Sequence, residues 1–528
     1  MKIPEYVQNI MEKLEGAGYE AYLVGGCVRD LLMERKPYDW DITTNAKPDE
    51  IQKIFSRRSQ SEVGTPTESV GADYDTFYEN DFGTVGVKVR HSHTPEFGSG
   101  DKDKMTDGKE IAERVEIVEV TPYRKEAAYS DKRHPDRVEF TSKVEDDLGR
   151  RDFTINAIAM KRDANTRIHA NDANIVDPFD GRKDIEAKII KAVGNAEDRF
   201  SEDALRLMRA VRFSAQLDFN IDQETKSAIK SKSSLLKMVS HERVRDELVK
   251  LVGSENPEKG IILMQELGLL KIVLPEVEEG FGVAQNKHHK YNVFDHSVKS
   301  LGFAAEYDYN IYVRFASLLH DAGKPRSKAG EGPDATFHGH EYISAKMTAR
   351  ALERLKFPKD FIEKVYTLVR YHMFYYNVGE VTDKSVRRLV KNVGVENIQE
   401  LLEVRQAERK GSGVPKAEPY KLRHLKYMIE KVSRDPLTVG MLKINGNDVM
   451  KTLAIEPGPR IGYILNALLE EVIDNPELNS REYLLKRMEE LNELGEKDLI
   501  ELAQAGKDKL EGEIEKEDES IKERYYVK

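Results

Sequence analysis

The stretch YEAYLVGGCVRDLLMERKPYDWDITT, residues 19–44, contains the sequence features that decide the fold of this chain. It begins with an apolar run typical of a buried strand and passes through Gly25 and Gly26 into a short helical segment. It ends in a second predicted strand that contains Asp39 and Asp41. Because side chains two positions apart on a strand point to the same face, we expect these two carboxylates to lie together.

Asp39 and Asp41 predict a divalent-metal site. Two carboxylates a few Å apart repel each other unless a cation lies between them, and carboxylate oxygens on a rigid strand suit Mg²⁺. The turn at Gly25 and Gly26 lets backbone N–H groups approach an anion, and Arg29 adds a positive charge. The alternative is an ordinary turn with two capping carboxylates. The ordered set within one stretch favours a site for Mg²⁺ and a nucleoside triphosphate.

The order of these motifs resembles that of a known family. LVGGCVRDLL followed by DWDITT is similar to the signature of class II nucleotidyltransferases, which include tRNA CCA-adding enzymes and poly(A) polymerases. The resemblance implies an α+β chain, in which a nucleotidyltransferase-type mixed β-sheet head precedes all-α neck, HD and tail domains. We predict the head at residues 1–140, the neck at 141–255, the HD domain at 256–425 and an RNA-binding tail at 426–528.

Composition narrows the class of protein. A chain of 528 residues is expected to form several domains, and its net charge of −11 argues against uniform affinity for nucleic-acid phosphates. Residues 346–426 nevertheless contain 18 Lys and Arg against 10 Asp and Glu, so a basic face can exist. The single cysteine, Cys27, excludes an internal disulfide framework, and long apolar segments are absent. We therefore expect a cytoplasmic protein without a membrane partner.

Hydrophobic periodicity gives a coarse secondary structure for the head. It predicts a helix over residues 3–16, strands over 82–89 and 114–121 with an exposed hairpin loop between them, irregular structure over 57–81 and a polar loop over 123–137. Glu119 lies on the second of these strands and is a candidate third acidic group of the metal site. Glu116 and Glu119 cannot both face one side, and an exposed strand glutamate is the alternative. The resemblance to a family strand in which a glutamate precedes Val-Thr favours Glu119.

The motif RRDFTINAIA, residues 150–159, predicts further contacts with a nucleotide. Two arginines can neutralise a triphosphate while a neighbouring aspartate accepts a hydrogen bond from a ribose hydroxyl. A surface ion pair is the alternative for an Arg-Asp doublet alone. The family resemblance assigns nucleotide contacts to Arg151, Asp152 and Asn156.

The motif EDALRLMRAVRF, residues 202–213, is predicted to form one helix with Asp203, Arg206 and Arg209 along one edge. An Asp acceptor beside an Arg donor matches cytosine and adenine, which present an exocyclic amine next to a ring-nitrogen acceptor, and rejects uracil and guanine. The alternative is an ordinary helix ion pair. The resemblance favours base selection by Asp203 and Arg206. It also places Arg209 and Arg212 at the nucleotide and gives residues 242–247 a bracing role.

A second set of residues predicts another metal site. Histidines and aspartates from successive helices are usual ligands for divalent transition metals, and a His-Asp doublet with three separate histidines is more specific than a lone histidine. The set resembles an HD-type phosphohydrolase domain, which implies a metal-bound hydroxide that attacks phosphate esters. The last ligand in that family is normally an aspartate, and this chain offers a glutamate. The predicted ligands are His296, His320, Asp321, His340, His372 and Glu408, and the predicted metals are Ni²⁺, Mn²⁺ or Co²⁺.

The resemblance implies a template-independent tRNA nucleotidyltransferase that adds CCA to tRNA 3′ ends from CTP and ATP by two-metal catalysis, with an additional HD phosphohydrolase activity. Three alternatives stay open. The head motifs are shared with poly(A) polymerases and with enzymes that add only A. An HD phosphohydrolase with an RNA-binding head, or a metal-independent RNA-binding protein, would belong to another class. The expected partners are tRNA, CTP and ATP, and no DNA partner is expected.

Overall fold

The computed structural model of the chain describes residues 3–55, 73–79, 83–91, 114–127, 137–162, 174–286, 290–414, 418–433, 440 and 442–527. The chain divides into two compact units, Met1–Tyr366 and Thr367–Lys528. Within the described residues, no helix is both long enough and apolar enough to cross a membrane.

The first unit begins with a mixed β-sheet. Its strands are β1 (Ala21–Val24), β2 (Asp41–Thr44), β3 (Asp73–Tyr78), β4 (Val85–His91), β5 (Arg114–Pro122), β8 (Ala159–Met160) and β9 (Ile175–Val176), and β6 (Arg124–Ala127) and β7 (Arg137–Phe140) form a separate antiparallel pair. Among the described strands, the order in the large sheet is β3-β4-β5-β2-β1-β8-β9. Only the pairing of β2 with β5 is parallel in this described sheet. The predicted mixed sheet is therefore confirmed.

Helices cover this sheet and continue after it. They are α1 (Glu5–Gly16), α2 (Gly26–Leu32), α3 (Pro48–Phe55), α4 (Val144–Gly149), α5 (Gly181–Glu186), α6 (Ala196–Glu202), α7 (Arg206–Leu217), α8 (Gln223–Lys232), α9 (His241–Val252), α10 (Pro257–Glu266), α11 (Leu270–Val273), α12 (Pro275–Glu278), α13 (Val293–Glu306), α14 (Ile311–Leu319), α15 (Lys324–Ser327) and α16 (His340–Arg354). Two short strands, β10 (Ile189–Ile190) and β11 (Asn220–Ile221), pair in parallel between them. The next helix, α17 (Lys359–Tyr371), contains the boundary between the units.

The buried central strand explains why the glycine motif forms a sharp turn. All four residues of β1 are buried, and Tyr22 and Val24 pack with Leu148 in one apolar cluster. Gly25 follows with φ +80°, a conformation that side chains other than glycine rarely adopt. The chain can therefore leave the sheet and enter α2 within one residue.

The structure corrects two of the predicted elements. The segment 57–81 is not irregular throughout, because residues 73–78 form β3, which gains its backbone hydrogen bonds from β4 and packs Tyr74 against Phe55 at 5.6 Å. The predicted helix over 202–213 is interrupted, because Asp203 adopts extended backbone (φ −130°, ψ 105°) between α6 and α7. Its Oδ1 accepts a hydrogen bond from the backbone N–H of Leu205 at 3.1 Å, as a capping residue does.

Other predictions agree with the structure where the structure describes them. The predicted helix at residues 3–16 is α1, and the two predicted strands are β4 and β5. The ends of the predicted loop over 123–137 form β6 and β7 instead of irregular chain. The predicted start of a strand at Phe82, the hairpin loop over 92–113 and the centre of the 123–137 loop lie outside the described residues.

The second unit is helical in its described residues. Its helices are α18 (Asp383–Val393), α19 (Ile398–Gly411), α20 (Tyr420–Ser433), α21 (Gly446–Leu453), α22 (Pro459–Asp474), α23 (Arg481–Asn492) and α24 (Glu496–Arg524). An apolar core forms around α22, where Ile464 and Leu468 are fully buried against Leu484 and Met488 of α23. The predicted four-domain boundaries remain a prediction.

Candidate active site

The parallel pairing of β2 with β5 gathers acidic side chains in the middle of the sheet. Asp41 is the register partner of Glu119, and in-register neighbours on adjacent strands point to the same face. Asp39 lies in the exposed bend just before β2, so the prediction that both aspartates lie on the strand is correct only for Asp41. Glu116 is three positions from Glu119 and so faces the other side.

The acidic cluster carries an electrostatic cost. Partial burial and the negative charges of Asp41, Glu79 and Asp39 raise the pKa of Glu119 to about 7. Burial also raises the pKa of Asp41; Arg151 opposes this rise and Asp39 adds to it. Carboxylates that repel each other in this way are stabilised by a bound divalent cation. Oxygen donors on a rigid strand fit Mg²⁺.

Glu79 was missed by the sequence analysis. It follows β3, and its backbone N–H donates to Thr84 O at 2.9 Å, which extends the pairing of β3 with the chain that enters β4. The sequence gives no signal for this residue, because its approach to Glu119 depends on the pairing of β3 with β4.

Gly25 creates space at the centre of the predicted triphosphate site. A Cβ atom at Gly25 would lie 3.0 Å from Arg151 Nη1 and 3.5 Å from Asp41 Oδ2. Because Gly25 has no Cβ, the guanidinium group of Arg151 and the carboxylate of Asp41 can both lie close to the same backbone turn. Gly26, the other predicted residue of the turn, is the first residue of α2.

Arg29 is a buried connector in this structure. Its Nη1 donates to Asn156 Oδ1 at 2.9 Å, and its Nη2 pairs with Asp30 at 2.6 Å. The guanidinium group therefore fixes Asn156, another predicted nucleotide contact, against α2.

A chain of ion pairs joins the Arg-Asp motif to α7 and α9. Arg209 Nη2 lies 2.7 Å from Asp152 Oδ2, and Asn156 Nδ2 donates to Asp152 Oδ1 at 3.4 Å. Arg212 Nε pairs with Glu247 at 2.5 Å. Burial alone would raise the pKa of Asp152, but Arg209 and Arg206 lower it to about 2. Asp152 therefore stays ionised at neutral pH.

The predicted base-selecting residues have separate partners. Asp203 forms an ion pair with Arg243 of α9 at 2.9 Å, whereas Arg206 pairs with Glu202 at 2.7 Å and donates to Arg150 O at 2.9 Å. Asp203 and Arg206 were predicted to lie along one edge of a continuous helix. In the structure, Asp203 lies just before α7 as a capping residue, and Arg206 lies in the first turn of that helix. Arg243, predicted only to brace this region, holds Asp203 directly.

A buried histidine cluster forms in the first unit. His296, His320 and Asp321 can direct ligand atoms to one point. The Nε2 atoms of His296 and His320 are 3.0 Å apart and lie 3.3 and 3.2 Å from Asp321 Oδ2. His340 Nε2 lies 3.3 Å from the other oxygen of Asp321, Oδ1. Burial alone would raise the pKa of Asp321, but His320 and Lys324 hold it well below its usual value.

Backbone carbonyls orient the histidine rings. Nδ1 of His320 lies 2.8 Å from Ser317 O, and Nδ1 of His340 lies 2.7 Å from Phe337 O. A proton on Nδ1 leaves the Nε2 lone pair directed into the cluster, which is the arrangement that metal-binding histidines show. The donor set therefore fits a transition-metal ion.

The two remaining predicted ligands belong to the second unit. His372 is buried, and its Nδ1 lies 2.7 Å from Val369 O. Glu408 pairs with Arg405 on the same helix at 2.5 Å. Glu408 is outside the clusters of potential metal ligands found among the described residues.

Family models match most of the chain. The model for the poly A polymerase head domain matches residues 21–106 and 73–191, "Probable RNA and SrmB- binding site of polymerase A" matches 218–281, and a model for domain 2 of tRNA nucleotidyltransferases matches 341–488. The chain is also 31% identical over 490 residues to the CCA-adding enzyme of Ligilactobacillus salivarius. This alignment covers 92% of this chain and 96% of the relative. The chain belongs to the class II CCA-adding enzyme and poly(A) polymerase family.

Two further similarities agree with this membership. The chain is 35% identical over 351 residues to the A-adding tRNA nucleotidyltransferase of Deinococcus radiodurans, covering 63% of this chain and 76% of the relative. The crystal structure of the Bacillus stearothermophilus CCA-adding enzyme in complex with CTP superposes with a TM-score of 0.52 at 26% identity, covering 93% of this chain and 98% of the other. The chain is thus a nucleotidyltransferase, a class of enzyme that uses divalent metal, and its α+β fold class is confirmed.

The ion pair between Asp152 and Arg209 predicts a pH-dependent contribution to stability. Since the pKa of Asp152 falls from 3.8 to about 2 on folding, its ionised form stabilises the fold above pH 3.8, and this contribution is lost as the pH falls towards 2. Replacing Asp152 with asparagine should therefore lower the unfolding free energy at pH 7 by ~2 kcal/mol. The difference in melting temperature between wild type and D152N should shrink between pH 5 and pH 3, as measured by calorimetry.

Asp360→Asn provides the control, because Asp360 is an exposed acid in the first turn of α17. It should leave the melting temperature almost unchanged at each pH. A wild-type to D152N difference that stays constant from pH 7 to pH 3 would contradict the assigned role of the ion pair.

Proposed function

We propose that the chain is a template-independent tRNA nucleotidyltransferase that adds C, C and A to the 3′ end of tRNA from CTP and ATP. The observation that carries this proposal is the register of β2 on β5, which sets Asp41 beside Glu119 within a chain similar over most of its length to a CCA-adding enzyme. The relatives named above act on tRNA or bind CTP according to their names, which supports the same partners here.

Asp39 and Asp41 are the residues proposed to hold Mg²⁺, with Glu119 as a further acidic group beside them. Bound Mg²⁺ supplies positive charge that lowers the pKa of a coordinated hydroxyl and stabilises charge on a transferring phosphoryl group. In the reaction, the RNA 3′-hydroxyl gives up its proton to solvent water, and its oxygen forms a bond to the α-phosphorus of the nucleotide. The bond between the α-phosphorus and its bridging oxygen breaks, and pyrophosphate leaves.

The residues around Gly25 are proposed to bind the triphosphate. Arg151 Nη1 lies beside the position where Gly25 lacks a Cβ, so its charge faces the turn that precedes α2. Asp152 and Asn156 are held in a fixed relation by Arg209 and Arg29. Their oxygen and amide groups are suited to a ribose hydroxyl, as the family resemblance implies.

Asp203 and Arg206 are proposed to select the base. Asp203 would accept a hydrogen bond from the exocyclic amine of cytosine or adenine, and Arg206 would donate to the adjacent ring nitrogen. Their ion pairs with Arg243 and Glu202 restrict both side chains before a base arrives. A site that needs one amine and one acceptor rejects uracil and guanine, because these bases present a carbonyl beside an N–H.

Single-nucleotide incorporation on tRNA that lacks its three terminal residues tests the proposal. CTP alone should extend this tRNA by two residues, ATP alone by none, and both together by three. Replacing Asp39 and Asp41 with alanine should abolish extension, because the protein then lacks the carboxylates that would hold metal ions at the phosphoryl group and the 3′-oxygen. Glu116→Gln is the matched control, since Glu116 lies on the opposite face of β5 from Glu119 and should leave extension unchanged.

Extension close to the wild-type rate by D39A/D41A would contradict the metal role. Extension only of tRNA that already ends in CC, and only with ATP, would favour an A-adding enzyme instead. The 35% identity to the A-adding enzyme of Deinococcus radiodurans makes that alternative the one to exclude.

A second activity is proposed for the histidine cluster, namely metal-dependent hydrolysis of phosphate esters such as cyclic phosphates at RNA ends. The convergence of His296, His320 and Asp321 supports it. A transition metal such as Ni²⁺, Mn²⁺ or Co²⁺ held there would supply an activated hydroxide. His340 is proposed as a further ligand in the first unit.

His320→Ala should remove both the metal-dependent opening of a 2′,3′-cyclic nucleotide to its monophosphate and retention of Ni²⁺ in metal analysis, because the cluster loses one of its donors. CTP incorporation should continue and shows that the variant is folded. His338→Ala is the matched control, since His338 is an exposed histidine two residues before His340. Absence of hydrolysis by the wild-type protein with Ni²⁺, Mn²⁺ or Co²⁺ would reduce the cluster to a structural element.

A further inference from the structure

The second unit contains a pocket that neither proposed activity uses. Its volume is about 560 Å³, and its walls come from the segment after α17, the end of α19 and the start of α20. Four aromatic residues line it, namely Phe374, Tyr375, Tyr376 and Tyr420. Rings concentrated around one opening provide flat surfaces on which nucleobases can stack.

The aromatic rings are exposed but held in place. Tyr375 is 70% exposed and Tyr420 is 40% exposed, although large aromatic side chains are usually buried. The rings of Tyr376 and Tyr420 each lie 5.9 Å from the ring of His424, so both are supported by the same side chain of α20. Rings fixed in this way lose little conformational freedom when a base packs on them.

Positive charge lines the same pocket. Arg405 and Arg409 are four residues apart, which places them on one face of α19, and Lys421 approaches from the start of α20. The guanidinium group of Arg405 lies 5.8 Å from the centre of the Phe374 ring. Glu408 pairs with Arg405, and a phosphate group in the pocket would be a further anion within reach of the same cations.

We propose that this pocket binds an unpaired nucleotide of the RNA substrate. The base stacks on the tyrosines, and the attached phosphate lies against Arg405, Arg409 and Lys421. The occupant follows from charge and shape, because stacking surfaces beside cations complement the bases and phosphates of single-stranded RNA, whereas an apolar peptide has no anionic group to place against the cations. The inference rests on the proposed function in taking RNA as the substrate. It adds a contact site separate from the triphosphate site, since every lining residue belongs to the second unit.

Fluorescence anisotropy with labelled tRNA measures the contribution of the pocket in the full-length protein. Tyr375→Ala and Tyr420→Ala should each raise the Kd for tRNA about tenfold, as expected for the loss of one base-stacking surface. Lys421→Ala should reduce the slope of log Kd against log salt by about one, because one fewer phosphate is neutralised. The KM for tRNA in CTP incorporation should rise with the Kd, while kcat and the KM for CTP stay unchanged.

Two exposed residues outside the pocket and outside the predicted RNA-binding tail serve as controls. Tyr307 is 56% exposed and Lys183 is an exposed lysine of α5, and neither lines the pocket. Y307A and K183A should bind tRNA as the wild type does. If Y375A and Y420A bind tRNA with wild-type affinity and still add nucleotides, the pocket proposal is overturned. A pocket that binds a peptide instead of RNA would give this same result. Failure of the wild-type protein to extend tRNA at all would instead overturn the proposed function.

Discussion

Parallel pairing of β2 with β5 is the constraint on which the rest of the head depends. The register sets Asp41 beside Glu119, and a slip of one residue would turn one carboxylate to the opposite face of the sheet. The buried strand β1 fixes β2 from the other side, and Gly25 ends β1 with a turn that leaves room for Arg151. Burial of Glu119 and the negative charges beside it together raise its pKa, which is the cost of this arrangement. A bound cation would offset that cost, so the fold and the proposed chemistry depend on the same pairing.

Ion pairs between segments that are distant in sequence connect the predicted nucleotide-binding residues to the helices that follow the sheet. Arg209 of α7 contacts Asp152, Arg212 contacts Glu247 of α9, and Arg243 of α9 contacts Asp203. Buried charges of this kind are stable only when each has a partner, so the nucleotide-binding groups and the supporting helices constrain each other. The proposed choice between bases then follows from side chains that are already oriented, without a nucleic-acid template.

The sequence alone predicts the parts of this structure that local pattern controls. The strand, glycine turn, helix and strand of residues 19–44 follow from a short apolar run and from Gly25, and the histidine cluster follows from a His-Asp doublet with separated histidines. The missed features depend on partners far away in sequence. The sequence of β3 is polar and shows no strand pattern, and only its pairing with β4 brings the charge of Glu79 close enough to raise the pKa of Glu119. The break at Asp203 arises from a side-chain cap that helical periodicity does not show.

The carboxylates of Asp39, Asp41 and Glu119 are proposed to bind divalent metal together with a nucleotide. Diffraction from a crystal grown with CTP and Mn²⁺, recorded near the manganese absorption edge, locates that metal. We expect anomalous density within coordination distance of the carboxylate oxygens of both Asp39 and Asp41, with the triphosphate beside Gly25 and Arg151. Bound CTP with no anomalous density next to either aspartate would show that these carboxylates do not form the metal site.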